Sequence, residues 1–318
     1  MKIVNQSAVL LEQGDNPYKL IESAGRTCYK SESRGNPVAF VKGLAKSKHL
    51  AMLEFAYVYF KLDDVSMQWF LEQLAPSDTK FLNIANDYIS GSFRAFIELA
   101  DRYIDVAEDY DGMVLIEMIR QLSDAYPDVF EYNLEWYTLA PSYGNVEMLT
   151  RQEFINDVKS MNSPFDDCII SALLPHVFRF VTNRGISHEL VRHRLCSFAQ
   201  ESQRYVGYDK EKFGSEITVI KPLIEEDSKD WEEWKYAIEW CETVYKNLRG
   251  RDVAPQIARG ILPNDCKTEI VVGATEDEWQ HILDLRYHGK TGAPHPQIKE
   301  LMELAYPILT EQSEGRVR

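Results

Sequence analysis

Arg192, His193, Arg194 and Arg204 lie within one short run, His188-Glu-Leu-Val-Arg-His-Arg-Leu-Cys-Ser-Phe-Ala-Gln-Glu-Ser-Gln-Arg-Tyr205. A guanidinium offers paired donors in one plane. That shape suits phosphate oxygens and the ring carbonyls of a pyrimidine or a flavin. Ser202 and the backbone amides around it add neutral donors. On charge count alone, the same run reads as an ordinary charged helix face.

His188 and His193 invite comparison with a zinc protease, since HELVRH is close to HExxH. Zincin histidines stand four apart on one helical face. Here they stand five apart, about 140° round a helix, so no metal site is expected. Trp279, Ile282 and Arg286 fall on one helical stripe. An arginine on an apolar stripe is costly unless it is paired or meets an anion. Arg259 poses the same question, and internal ion pairs are the plain alternative for both.

Several elements are expected to position these groups. Strands are read at Lys2–Val4, Phe55–Leu62 and His176–Val181. The turn 182–185 leads into a helix carrying Ile186, Leu190, Val191 and Leu195, so the Arg-His-Arg block is placed on a helix. Helices are also read at Pro17–Tyr29 and Val38–Lys46. Asp252 caps a helix that has Pro255 in its first turn, and Thr275-Glu-Asp-Glu278 reads as a capping box. The aromatic stripe Trp231, Trp234, Ile238, Cys241 and Tyr245 reads as core or subunit contact. The last helix runs from Gln297 to Leu309. Residues 65–170 read as a largely helical insertion without a chemical motif. One weak echo crosses the chain: Ser90-Gly-Ser-Phe-Arg94 follows a short strand much as Gly273-Ala-Thr275 does.

Composition bounds the function. The 318 residues are 45% hydrophobic and 27% charged, close to an average soluble domain, with net charge −15. That charge does not suit a general grip on nucleic acid or on an anionic membrane. Cysteines 28, 168, 196, 241 and 266 form no CxxC pair. Free thiols, no signal peptide and no transmembrane run are expected, hence a cytoplasmic protein.

Arg192-His193-Arg194, seven residues, then Ser202, continued by Gln203-Arg204-Tyr205, resembles the signature of the flavin-dependent thymidylate synthases. Lys48-His49-Leu-Ala-Met-Leu-Glu54-Phe55 is similar to the family's His-x-x-x-x-Glu segment. Ala258-Arg259-Gly-Ile-Leu-Pro263 resembles its Ala-Arg-x-x-Leu-Pro, and Trp279 to Arg286 its helix ending in Leu-Arg. His295-Pro-Gln297 matches its His-Ala-Gln. The resemblance covers residues 1–62 and about 176–310. Three positions depart from it. Glu189 stands where a glutamine usually meets the nucleotide, Ala199 replaces a polar residue, and Thr275-Glu-Asp277 replaces Asn-x-Arg at a flavin contact.

The resemblance implies the family's α/β (α+β) fold, a central mixed sheet with packed helices, in a single domain over 1–318. It implies conversion of dUMP to dTMP, with carbon from methylenetetrahydrofolate and hydride from FAD reduced by NADPH. Arg286 would be catalytic, polarising the N3–O2 side of the uracil without a cysteine nucleophile. Cys196 is read as a small buried residue. The dUMP contacts carried over are Glu189, Arg192, Gln200, Glu201, Ser202, Gln203, Arg204, Arg259 and Arg286. The FAD contacts are Ala51, Glu54, Arg192, His193, Arg194, Gln200, Thr275, His281 and His295. A homotetramer with sites shared between subunits is implied, with small-molecule substrates as its ligands. The alternatives are a related pyrimidine nucleotide modification such as hydroxymethylation, and a non-catalytic nucleotide-binding relative.

Overall fold

The computed structural model describes residues 1–11, 14, 16–33, 35–74, 81–104, 113–132, 145–204 and 216–318. The chain opens with β1 (Lys2–Val4), β2 (Ser7–Leu10), α1 (Pro17–Tyr29) and α2 (Pro37–Lys46). A 3-10 turn at Leu50–Phe55 leads to β3 (Tyr57–Leu62), α3 (Asp64–Gln73), β4 (Leu82–Ala85), β5 (Tyr88–Ser92), α4 (Phe93–Tyr103) and α5 (Met113–Ala125). Then come β6 (Val146–Leu149), α6 (Arg151–Ser160), α7 (Asp166–Leu173), β7 (Pro175–Asn183), α8 (Arg184–Leu190) and β8 (Ser197–Gln200). The last elements are β9 (Thr218–Ile220), α9 (Lys229–Arg249), α10 (Pro255–Ala258), β10 (Lys267–Thr275), α11 (Glu276–Arg286) and α12 (Pro296–Gln312).

The class is mixed α/β, as expected. The strands divide among three sheets rather than gathering in one: β4-β5-β3-β6, β2-β7-β10-β8, and the pair β1-β9. Both four-stranded sheets are antiparallel throughout. Helix starts follow local chemistry. Pro17 opens α1 while the Asn16 side chain accepts from Tyr18 N, and Ser92 caps α4 by accepting from Ala95 N.

The two larger sheets repeat one plan. One series runs β2-α1-α2-β3-α3-β4-β5-α4-α5. The other runs β6-α6-α7-β7-α8-β8-β10-α11-α12 once β9, α9 and α10 are set aside. The register agrees residue for residue. Tyr57 faces Ser92 and α4 starts at the next residue, while Pro175 faces Thr275 and α11 starts at the next. The ring contacts agree too. Phe60 meets Phe96 edge-on at 5.4 Å and 61°, and Phe178 meets Trp279 at 5.3 Å and 67°. The edge strands are exchanged: β2 pairs with β7 of the second series, and β6 with β3 of the first. Each half therefore completes the other's sheet.

Several expectations need correction. Residues 65–170 are largely helical among the described residues, with α3 to α7, but they also carry β4, β5 and β6, which build the first sheet on β3. Between β4 and β5 the chain turns at Asn86-Asp87, with Asn86 left-handed at φ 53°. At the matching place, between β8 and β10, stand residues 201–266. Helix α8 stops at Leu190, and Arg192 to Arg194 lie in the turn before β8. Val191 and Leu195 are exposed, so no core face holds a longer helix there. Thr275 is the N-cap of α11 but makes no side-chain cap hydrogen bond. A capping box forms instead at Thr150 and Glu153. Asp252 does not cap α10. It stands at φ 59°, and Ala254 is the cap residue.

The stripe of α9 faces inward, with Trp231, Ile238 and Tyr245 buried and Trp234 and Cys241 half-buried. Ile238 and Tyr245 are buried with Ile217, Val219 and Ala258, whereas Tyr236 and Trp240 on the same helix face outward. No helix among the described residues is long and apolar enough to cross a membrane. All five cysteines are free thiols.

Candidate active site

Arg286 is the last residue of α11, the helix whose Trp279 and Ile282 are buried in the second core. Burial of that stripe fixes where the guanidinium emerges. The group is paired. Nη1 donates to Glu189 Oε2 at 2.8 Å, and Nε donates to His193 Nε2 at 3.3 Å. Arg286 and Glu189 side chains are 23% and 32% accessible, so the pair lies in a half-open niche.

His193 is buried in the turn between α8 and β8. Burial, the Arg286 guanidinium and His281 lower its imidazole to about 4, so it is neutral near pH 7. A neutral ring that accepts at Nε2 carries its proton on Nδ1. That proton faces Glu278 Oε1 at 3.9 Å. His281, exposed on α11, stands edge-on to His193 with ring centres 5.9 Å apart. Burial raises the Glu278 carboxyl, with His281 opposing the shift.

His193, Glu278 and His281 bring one ligand atom each within 4.8 Å of one another, a spacing that could hold a divalent ion. A metal on Nδ1 would need the His193 proton on Nε2, facing the Arg286 Nε–H. The Arg286 hydrogen bond therefore works against an ion at Nδ1. His188, exposed on α8, is not part of this group.

Cys196 is buried, with Sγ 3.9 Å from Glu278 Oε1. Burial first, and then that carboxylate, push its thiol far up, the wrong direction for a thiolate nucleophile.

The segment after β8 holds a second charged cluster. Lys267 Nζ lies 3.0 Å from Glu201 and 2.5 Å from Glu269, and Lys30 reaches Glu201 at 4.0 Å. Burial alone would lower the Lys267 ammonium; the two carboxylates outweigh it and hold it up. Ser202 N donates to Cys28 O at 3.0 Å, which ties this segment to α1. Ser202 Oγ accepts from Arg204 N at 3.3 Å. Gln200 Nε2 donates to Ser187 and Thr268 hydroxyls at 2.7 and 3.2 Å. Two buried atoms here, Glu201 Oε1 and Gln203 Nε2, make no hydrogen bond with the described residues. Among the described residues Glu201 Oε1 keeps only the 4.0 Å ion pair with Lys30, and Gln203 Nε2, beside Ser202, fits a ligand that supplies the missing partner.

The Arg192 and Arg194 side chains are exposed on either side of His193, and Arg259 is half-buried on the turn after α10. None of these three guanidinium groups forms an ion pair with the described residues. Tyr205 lies outside the described residues.

The flavin-side residues of the N-terminal segment sit apart. Glu54 is buried and bound to Arg94 Nη1 at 2.5 Å; Arg94 also binds Glu98 and stacks over Phe81 at 4.8 Å. Ala51 is exposed on the wall of a cleft of about 410 Å³ that His49, Met52, Cys28 and Arg94 also line. His295 is exposed and accepts from Gln297 N at 3.2 Å as the cap of α12. No hydrogen bond, ion pair or ring contact among the described residues joins Ala51, Glu54, Thr275 or His295 to the Arg192–Arg194 turn. Sequence reasoning missed Lys267, Glu278 and Arg94. The signal for Arg94 was the Ser90-to-Arg94 echo; Lys267 and Glu278 carry no spacing signal.

Comparison with known proteins bears on this half of the chain. The family profile "Thymidylate synthase complementing protein" matches residues 171–313. A flavin-dependent thymidylate synthase of Pyrococcus furiosus is 34% identical over 131 residues, 41% of this chain and 51% of that protein. One from Corynebacterium diphtheriae is 33% identical over 161 residues, 45% and 61% of the two chains. The chain thus spans about half to three-fifths of the length of these relatives. The profile match lies in the C-terminal part of the chain, where the Arg192–Arg204 segment and Arg286 stand. A solved UMP/dUMP methylase, PolB from Streptomyces cacaoi with 5-Br UMP, is 20% identical over 51% of this chain and 91% of that one. Its TM-score is 0.40, too loose a likeness to bear on the site.

Proposed function

We propose that the chain transfers one carbon to C5 of a pyrimidine nucleoside 5′-monophosphate in a flavin-dependent reaction of the thymidylate synthase type. For dUMP, the substrate that the resemblance implies, the product is dTMP. Methylenetetrahydrofolate is the proposed carbon donor and NADPH the reductant. The observation that carries this reading is Arg286, presented from a buried stripe into a half-open niche beside a neutral imidazole.

The donor set fits a flavin. Arg192 and Arg194 are uncommitted cations on an acidic chain, and cationic neighbours favour an anionic reduced flavin. With His193, Gln200 and His281 they would hold the ring system, while Ala51, Glu54, Thr275 and His295 would complete the cofactor contacts. Reduced FAD supplies the hydride when bound.

The protein's own part is electrostatic. Arg286 stabilises negative charge growing on the N3–O2 side of the base, as fixed donors do for an oxyanion. Glu189 and His193 hold its guanidinium in one plane, so little reorganisation is needed. Glu201, Ser202, Gln203 and Arg204 orient ribose and phosphate, and Arg259 adds charge at the phosphate. Leu195, 76% exposed beside Arg194, marks an open side of this site. A neighbouring subunit of the proposed homotetramer would cover it.

An absorbance spectrum tests the reading. Under anaerobic conditions, an oxidised-flavin band should bleach with NADPH, faster with a pyrimidine 5′-monophosphate present. No band after incubation with FAD would leave a non-catalytic nucleotide-binding protein. Product analysis then separates methylation from hydroxymethylation.

A further inference from the structure

We infer that the base this site selects is cytosine, so that its substrate class is a cytosine 5′-nucleotide. The inference rests on the nucleotide site proposed above and changes only the base.

The argument is the donor and acceptor order of one pair. Arg286 commits Nε to His193 and Nη1 to Glu189 Oε2. Its Nη2, and Glu189 Oε1, have no partner among the described residues. The niche therefore offers an acceptor and guanidinium donors side by side. An ionised carboxylate only accepts, and a guanidinium only donates.

Cytosine matches that order. Its exocyclic N4 amine donates, while N3 and O2 beside it accept. Glu189 takes the N4 hydrogen and Arg286 donates towards N3 and O2, the pairing by which carboxylates read cytosine. Uracil presents O4, which accepts, then the N3–H donor, then O2. In the cytosine register O4 would face Glu189, acceptor against acceptor. Shifted by one position, Glu189 can take N3–H and Arg286 can reach O2, but O4 is left without a donor. Gln200 cannot readily supply one, because its amide is committed to Ser187 and Thr268. Gln203 Nε2 is an uncommitted donor. Should it reach O4, uracil would be favoured, and the order of affinities would show it.

The charge balance points the same way. Glu189 neutralises Arg286 locally, so the pair recognises a base by pattern rather than by net charge. A site that mismatches a hydrogen-bonding edge rejects the wrong base because its own polar groups lose partners.

Titration calorimetry on the full chain with dCMP and with dUMP tests this. Tighter binding of dCMP, by about 10- to 100-fold, is expected. Glu189→Gln gives the same position a donor as well as an acceptor; it should weaken dCMP and strengthen dUMP, narrowing or reversing the ratio. Equal affinities, or tighter dUMP, in the unaltered chain overturn the inference and leave the nucleotide site standing. A ratio that Glu189→Gln does not move, in a variant with an unchanged melting temperature, also overturns it. Binding of neither nucleotide ends both this inference and the proposed function.

Discussion

Glu276, fully buried at the start of α11, receives two hydrogen bonds from Arg316, Nε to Oε2 at 2.7 Å and Nη2 to Oε1 at 3.0 Å. His176 Nε2 adds a third contact at 2.9 Å and Ser171 a fourth at 3.2 Å. Burial alone would raise the Glu276 carboxyl; these partners outweigh it and hold it below its usual range. The network anchors the first turn of the helix that ends in Arg286.

Removing one partner of a buried pair leaves an uncompensated charge. Arg316→Met should therefore lower the unfolding free energy by about 3–5 kcal/mol in urea titration. The double variant Arg316→Met/Glu276→Gln should recover a large part of that loss. If the single variant costs under about 1 kcal/mol, the pair does not anchor α11.

Titration of His193 makes a pH prediction. Its folded value of about 4 lies below the ordinary 6.5, mainly through burial. Between those values the unfolded chain binds more protons than the folded one, so stability rises with pH across that window. Going from pH 7 to pH 4 should cost about 3 kcal/mol from this residue, since each unit is worth about 1.4 kcal/mol. His193→Gln should remove that component. Urea midpoints at pH 4.5 and 7 for both proteins measure it, and an unchanged pH dependence in the variant would refute the assignment.

The sequence made some of this legible. Pro17, Pro255 and the Phe-Arg-Phe strand announce their elements through local chemistry. The Trp279, Ile282, Arg286 stripe shows at helical spacing; Trp279 and Ile282 are buried as read and Arg286 is half-buried at its end. The Arg-His-Arg block was misplaced because Leu190, Val191 and Leu195 imitate a helical period. Long-range pairing of β8 with β10 claims the chain there, and local periodicity cannot show that. The hairpin at Asn86-Asp87 carried a turn signal, but it was submerged in a stretch rich in helical pattern. Glu54 and Arg94 are forty positions apart and Glu189 and Arg286 almost a hundred, so only the fold reveals those pairs. The echo between Ser90–Arg94 and Gly273–Thr275 was the visible trace of a repeat that ring packing and register make plain. The rest was lost because the core was kept while most residue types changed, Phe96 against Trp279 for example.

Cys196 offers a test of chemical class. A thymidylate synthase that works through a thiolate loses its reaction when the cysteine goes. Here the thiol is buried and pushed up by burial and by Glu278, so Cys196→Ala should keep kcat within about fivefold. Its main effect should be a small packing loss, about 1 kcal/mol in a melting curve. Loss of turnover with the fold intact would bring covalent catalysis back.

Arg286→Ala separates binding, folding and chemistry. Glu189, left without its partner, is about a third accessible, so water can solvate it and the fold should lose no more than about 1 kcal/mol. The cofactor contacts proposed at Arg192, Arg194 and His281 are untouched, so flavin should still bind. What disappears is the fixed donor beside the N3–O2 side of the base. Removing one such donor typically costs about 100- to 1,000-fold in kcat. Flavin absorbance, a melting curve and single-turnover kinetics on one preparation read all three quantities. Full turnover in this variant would mean that Arg286 does not activate the base. A lost flavin band would mean that it belongs to the cofactor site.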